Sequence, residues 1–175
     1  MTGAGNATTH ASAVLVDRCA VLIRGPSGSG KSRLAFDLML AARAGQIPKA
    51  VLIGDDRVHL QAAKGQLVVQ PARELAGLIE IRGLGIRRSE FIERAVVGLV
   101  VDLSADDGER LPRAEALQAI ILGVKVPRIP IAHGFAPLPV VLGALTLAAS
   151  SSADQPTQDC WKGIGNHISP TIPTE

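Results

Sequence analysis

Gly25-Pro26-Ser27-Gly28-Ser29-Gly30-Lys31-Ser32 matches the eight-residue pattern in which successive backbone N–H groups converge on phosphate oxygens. Its small residues let the main chain approach an anion closely. The pattern places Lys31 on the β- and γ-phosphates and the Ser32 hydroxyl on Mg²⁺. Its context agrees: Cys19 to Ile23 ahead of it is an apolar strand. Behind it, Lys31 to Ala44 sets Leu34, Ala35, Leu38, Met39 and Ala42 on one face at helical spacing, until Gly45 and Pro48 end the helix. The helix N-terminus, with unpaired N–H groups and a partial positive charge, faces the same anion. Strand, glycine-rich loop and helix in this order predict a P-loop-containing α/β domain.

Working outward, Ala13 to Val16 and Cys19 to Ile23 flank Asp17-Arg18 and predict a hairpin. Ala50 to Ile53 is a buried strand running into Asp55-Asp56. Val58 to Leu60 extends beyond it, and Lys64-Gly65 turns the chain into Leu67 to Gln70. Pro71 to Leu78 reads as a short helix or turn, and Ala95 to Leu103 as an apolar strand carrying Asp102 near its end. Asp106 to Arg113 is a polar loop, while Ala114 to Val126 fits helix or strand on pattern alone. Val140 to Ala149 reads as a helix with Pro139 suited to its first turn. From Ser150 onward, Ser, Pro, Gln, Thr and Gly dominate, as in a mobile tail. The expected organisation is a catalytic domain over residues 1–149 and a tail over 150–175.

The 175 residues suffice for one core. With 47% apolar residues and only 2% aromatics, that core has to be built from Ala, Val, Ile and Leu, which suits a sheet buried on both faces. The longest apolar stretch is too short to span a bilayer. Met1 to His10 lacks the basic start and apolar run of a secretion signal, so the expected location is cytoplasmic, with no membrane partner. A net charge of +2, spread along the chain, gives no reason to expect nucleic acid as a partner. Only Cys19 and Cys160 occur, which gives neither a disulfide framework nor a plausible zinc site.

Phosphoryl transfer needs a carboxylate near the metal and a group that orients or deprotonates the nucleophile. Asp102 offers one, or else caps a turn at its strand end. Asp55-Asp56 offers two adjacent carboxylates, whose mutual repulsion would favour a proton on one of them, or else a solvated turn. His10 draws interest through the hairpin register. If Asp17 and Arg18 form a two-residue turn, Val16 pairs with Cys19, and counting back sets His10 opposite Gly25 at the mouth of the loop. There an imidazole could contact phosphate or orient a carboxylate.

Taken together, His10, the hairpin, Gly25 to Ser32, Ile53-Gly54-Asp55-Asp56-Arg57-Val58 and Glu80-Ile81-Arg82-Gly83-Leu84-Gly85-Ile86 resemble HPr kinase/phosphorylase. The late run Val124 to Ile131 is similar to that family as well, and the resemblance covers about residues 8 to 148. It implies a PEP carboxykinase-like catalytic domain with a mixed central sheet, in the short form similar to those of alphaproteobacteria. The implied activity is phosphorylation of a serine on the phosphocarrier HPr with ATP and Mg²⁺, reversed with inorganic phosphate as co-substrate by a homo-oligomer. The resemblance further implies Gly25 to Lys31 as the phosphate cradle and Ser32 and Glu80 as metal ligands. Asp55 would be the base, Asp56 and His10 would support it, and Arg82 would contact phosphate or partner.

There are departures from the family pattern. Arg33 replaces a frequent acidic residue. Phe135-Ala136-Pro137-Leu138 stands where a Gly-Arg pair is common, and no C-terminal helix is evident after Ser150. Two other functions compete. A small-molecule kinase would use Asp102 for the metal and Arg87-Arg88 in a lid, leaving Glu80 to Ile86 unexplained. A non-catalytic ATP-binding module would be marked by a lost base, yet Asp55, Asp56 and Glu80 are all present.

Overall fold

The structure, a computed structural model, describes residues 8–147; the tail expected from Ser150 lies outside them. The elements run β1 (Thr8–His10), β2 (Ser12–Val16), β3 (Cys19–Arg24), α1 (Lys31–Arg43), β4 (Ala50–Gly54), β5 (Arg57–Ala63), β6 (Gln66–Pro71), β7 (Leu78–Ile81), β8 (Gly85–Arg88), β9 (Ala95–Leu103), β10 (Gln118–Ile121), β11 (Val124–Ile131) and α2 (Pro137–Thr146). Short 3-10 turns precede β7 and β10, at Arg73–Leu75 and Ala114–Leu117. The segment left open between helix and strand is thus a turn leading into a β-hairpin. Helix α2 begins at Pro137, earlier than the apolar pattern implied, and Pro139 falls in its first turn.

Nine strands form one mixed sheet in the order β1-β5-β6-β9-β3-β2-β4, with β11 and then β10 joined alongside β9. Strands β3, β9 and β11 are parallel. The hairpin β2–β3 keeps the expected register, Val16 opposite Cys19. Alternate residues of the same strands enter two apolar layers. Val21, Ile23, Val101 and Ile131 pack under α1 and α2 with Leu34, Leu38 and Val141. Ala20, Leu22, Val100 and Val126 face the other way, onto Val58, Leu67 and Val69 of the curled-over β5–β6 hairpin. Among the described residues the buried core is aliphatic, built from Ala, Val, Ile and Leu with Met39 and Cys19, and Phe36 packs only partly buried against it. Each fully buried Leu or Ile contributes roughly 1.5–3 kcal/mol, so the strands feeding the phosphate loop are the best anchored part of the domain.

The register argument for His10 does not hold. The β2–β3 ladder stops at Ser12 opposite Ile23, because β3 gives way to the loop one residue after Arg24. The chain instead crosses over at buried Ala11, and His10 pairs with Arg57 on β5 rather than with Gly25.

Candidate phosphoryl-transfer site

The phosphate loop leaves β3 at Gly25, where φ is 149° and an added Cβ would lie 2.7 Å from the Ser29 hydroxyl and 2.8 Å from the Leu103 carbonyl oxygen. Only glycine fits there. Helix α1 starts from Gly30 in the left-handed region, with no side-chain cap and no acidic residue in its first turn. Its N-terminal amides and partial positive charge therefore remain available to an anion. The Ser29 hydroxyl is buried without a hydrogen-bond partner, a polar group that a phosphate oxygen would satisfy. Lys31 is 6% exposed and its ammonium donates to the carbonyls of Gly25 and Pro26, each at 3.0 Å. Burial pushes its pKa below the ordinary lysine value, against the pull of Asp55 and Asp56. Bound phosphate would supply the anion that this ammonium lacks.

The two adjacent aspartates part company. Asp55 follows β4 and is 3% exposed: one carboxylate oxygen accepts from the Ser12 hydroxyl at 2.5 Å, the other from the Glu80 N–H at 3.1 Å. Asp56 has φ 64° and faces solvent, 3.3 Å from His10 Nε2 and 3.8 Å from Arg57 Nε. A short polar side chain tolerates that backbone better than most, and the kink sends two neighbouring carboxylates in different directions. The Glu80 amide reaches Asp55 because the β7–β8 hairpin, a separate two-stranded sheet, is pinned at its base. There Ser89 N–H donates to Gly77 O and Ile92 N–H to Leu52 O, both at 2.8 Å.

The structure thus gathers Lys31, Asp55 and the Glu80 main chain beside the loop, with Asp56 and His10 at its outer edge. Arg82 sits at the exposed hairpin tip and makes no hydrogen bond or ion pair with any of them. Among the described residues no three His, Cys, Asp or Glu side chains converge as a metal cluster. Ser32 and Glu80, the residues expected at the metal, carry hard oxygen donors of the kind Mg²⁺ takes beside water and phosphate.

Asp102, the alternative metal carboxylate, is already spent. It receives Arg24 Nε and Nη2 at 2.7 Å each and Arg128 Nε at 2.5 Å. Burial alone would raise its pKa, but the hydrogen bonds and charges of the two arginines outweigh that and hold it below the ordinary aspartate value. Sequence reasoning passed over Ser12, Arg24 and Arg128. Ser12 had a signal, being the one hydroxyl in the apolar run Ala11 to Val16, and so did Arg24, a charge at the end of a buried strand. Arg128, inside a proline-broken strand, had none.

A glycine-rich loop between a buried strand and an uncapped helix, with a buried lysine and a buried carboxylate beside it, marks a P-loop domain suited to phosphoryl transfer. The model of the HPr serine kinase C-terminal domain matches residues 3–141. The chain belongs to that family. It is similar to HPr kinase/phosphorylase of Geobacter sulfurreducens, 33% identical over an aligned length of 138 that covers 71% of this chain and 41% of the relative. It is also similar to HPr kinase/phosphorylase of Mycoplasma mycoides subsp. mycoides, 31% identical over 71% of this chain and 42% of the relative. The chain therefore spans about two fifths of the length of these curated relatives. Among solved structures, the HPr(Ser) kinase/phosphatase from Coxiella burnetii superposes with a TM-score of 0.61 at 28% identity, covering 79% of this chain and 92% of that one. No helix of the described residues is long and apolar enough to cross a membrane.

Proposed function

We propose that the domain transfers the γ-phosphoryl group of ATP to a serine of HPr and, with inorganic phosphate, removes it again. The observation that carries this reading is Asp55, a buried carboxylate beside Lys31 with one neutral donor on each oxygen. In the forward direction Asp55 takes the proton of the HPr serine as that oxygen bonds to the γ-phosphorus and the bond to the β-phosphate oxygen breaks, releasing ADP. In reverse, an oxygen of inorganic phosphate bonds to the phosphorus of phosphoserine, the seryl oxygen leaves with the proton that Asp55 returns, and pyrophosphate is the second product. Lys31 and the loop amides hold the phosphates, and Arg82 at the hairpin tip is free to meet the incoming protein or its phosphate. Ser32 and Glu80 would hold Mg²⁺, which when bound neutralises charge on the transferring group. His10 and Asp56 steady the outer edge.

A cytoplasmic location and a homo-oligomeric state belong to the same reading. Exposed Ile120 and Leu122, on and beside edge strand β10, support an assembly. The small-molecule kinase reading needs Asp102 at the metal, and two guanidinium groups already occupy it. Transfer of label from γ-labelled ATP to purified HPr, followed by label release as pyrophosphate on adding phosphate, tests the proposal. Nucleotide binding with no label on HPr would sink it.

A further inference from the structure

Arg24 is the last residue of β3, and the phosphate loop begins at the next one. It stands opposite Asp102 in the parallel ladder, and its guanidinium grips that carboxylate with two bonds of 2.7 Å. Arg128 on β11 grips the same carboxylate at 2.5 Å, and then Asp107 with bonds of 2.6 and 2.9 Å and the Ala116 carbonyl at 2.9 Å. Arg24, Asp102 and Arg128 alternate with Ile23, Val101 and Ile129 of the helix-side core, so they lie on the opposite face of the sheet from α1, and Asp107 reaches Arg128 from the loop after β9. Backbone contacts tighten at both of its ends. Gly25 abuts the carbonyl of Leu103, the residue after Asp102, while Gly108, the residue after Asp107, abuts the main chain of Ala132 just beyond β11.

We propose that Asp102 is a positioning residue for the phosphate loop. Clamped by two arginines, it fixes Arg24 and hence the Gly25 peptide, whose carbonyl holds the Lys31 ammonium. Bidentate guanidinium pairing sets direction as well as distance, which a surface ion pair does not. Three adjacent strands are thereby held in one register from beneath while the loop above stays open to phosphate. Asp102 then serves the same site as Asp55 without touching substrate or metal. The inference rests on nucleotide binding at this loop, but its first readout does not.

The test compares the full chain with Arg24→Gln, Asp102→Asn and the double variant. The first measurement is deuterium uptake of the ligand-free protein over residues 20–30 and, as a reference, over residues 33–43 of α1. The second is Mg·ATP affinity at a temperature where every variant is folded, and the third is the Mg²⁺ concentration dependence of that binding. The expected result is faster uptake confined to residues 20–30 and about tenfold weaker ATP binding in both single variants. The double variant should be no worse than either, as required of two residues acting through one contact. Unchanged uptake over 20–30 would overturn the inference, as would equal acceleration in both segments, which marks a purely structural role. A raised Mg²⁺ requirement in Asp102→Asn but not in Arg24→Gln would overturn it in favour of a metal ligand. Wild-type protein that fails to bind ATP would instead count against the proposed function, leaving the uptake result to decide the positioning role.

Discussion

Asp55 and Asp102 are both aspartates at the ends of buried strands, and both lie next to the phosphate loop, yet their surroundings differ in kind. Asp55 holds a hydroxyl and a backbone amide, two neutral donors, with the Lys31 ammonium close enough to feel its charge. Asp102 holds three guanidinium N–H groups from two arginines. A carboxylate has about four acceptor positions. Asp102 spends three of them on fixed cations and has little to gain from a proton or a metal. Asp55 spends two on neutral donors, and in the proposed reaction it is the acid that exchanges a proton with the HPr serine. What distinguishes the two acids is the charge of their partners, not their place at the end of a strand.

The sharpest way to break this contrast is to neutralise each acid in turn. Asp55→Asn should lower phosphoryl transfer to HPr by about 10²–10⁴-fold, the usual contribution of a positioned base. ATP affinity should stay near wild type, because the loop and Lys31 are intact. Single-turnover transfer and equilibrium nucleotide binding, measured side by side, separate the two quantities. If Asp102→Asn stops turnover as completely while leaving ATP affinity and stability untouched, the roles assigned to the two acids are reversed.

Stability should show the opposite ranking. Removing the Asp102 charge leaves Arg128 part-buried beside Arg24, and breaking a buried pair costs roughly 3–5 kcal/mol. Arg24 retains 32% of its side-chain exposure, so the lower end of that range is expected. The pH dependence follows from the depressed pKa of Asp102. Its stabilisation is fully present above the unfolded value of 3.8 and is lost as pH falls through the lower folded value. Denaturant midpoints of wild type and Asp102→Asn should therefore differ most above about pH 4 and converge in stronger acid. A gap that widens with falling pH would contradict the two-arginine clamp.

This contrast was only half visible in the sequence. The eight-residue loop, the hairpin and the apolar strands are set by local pattern, so the P-loop fold and its two-faced sheet could be read directly. The pair Asp55-Asp56 drew notice for its two charges, but their divergence depends on a left-handed φ at Asp56, which no spacing shows. His10 misled the register argument because the ladder that would have carried it ends when β3 becomes loop. The fate of Asp102 depended on Arg128, a residue 26 positions away whose strand is placed beside β9 only by tertiary pairing in the sheet. Tertiary pairing, not motif, sorted the two acids.

A finer test lies in Ser12, the buried hydroxyl against Asp55. Ser12→Ala deletes a hydrogen bond to a charged group, worth about 1.5–3 kcal/mol, and leaves one Asp55 oxygen without that donor. Stability should fall by that order, and HPr phosphorylation should slow less than in Asp55→Asn, since the base itself survives. If Asp55 is merely structural, Ser12→Ala and Asp55→Asn will lower stability alike and spare turnover together.

The smallest effect should come from the edge of the site, and its size measures how far Asp55 relies on its neighbour. His10 and Asp56 meet at 3.3 Å with side chains 48% and 61% exposed. Exposed pairs of this kind contribute about 0–1 kcal/mol and weaken with salt. His10→Gln should therefore leave the unfolding midpoint nearly unchanged. Its effect on turnover travels through the backbone kink at Asp56, which separates the exposed carboxylate from the buried one. A loss of less than about tenfold, with Asp56→Asn adding nothing further, fits a shared supporting role. A loss equal to that of Asp55→Asn would mean that the imidazole, not Asp55, exchanges the serine proton, and the division between an active and a clamped carboxylate would then miss the reacting group.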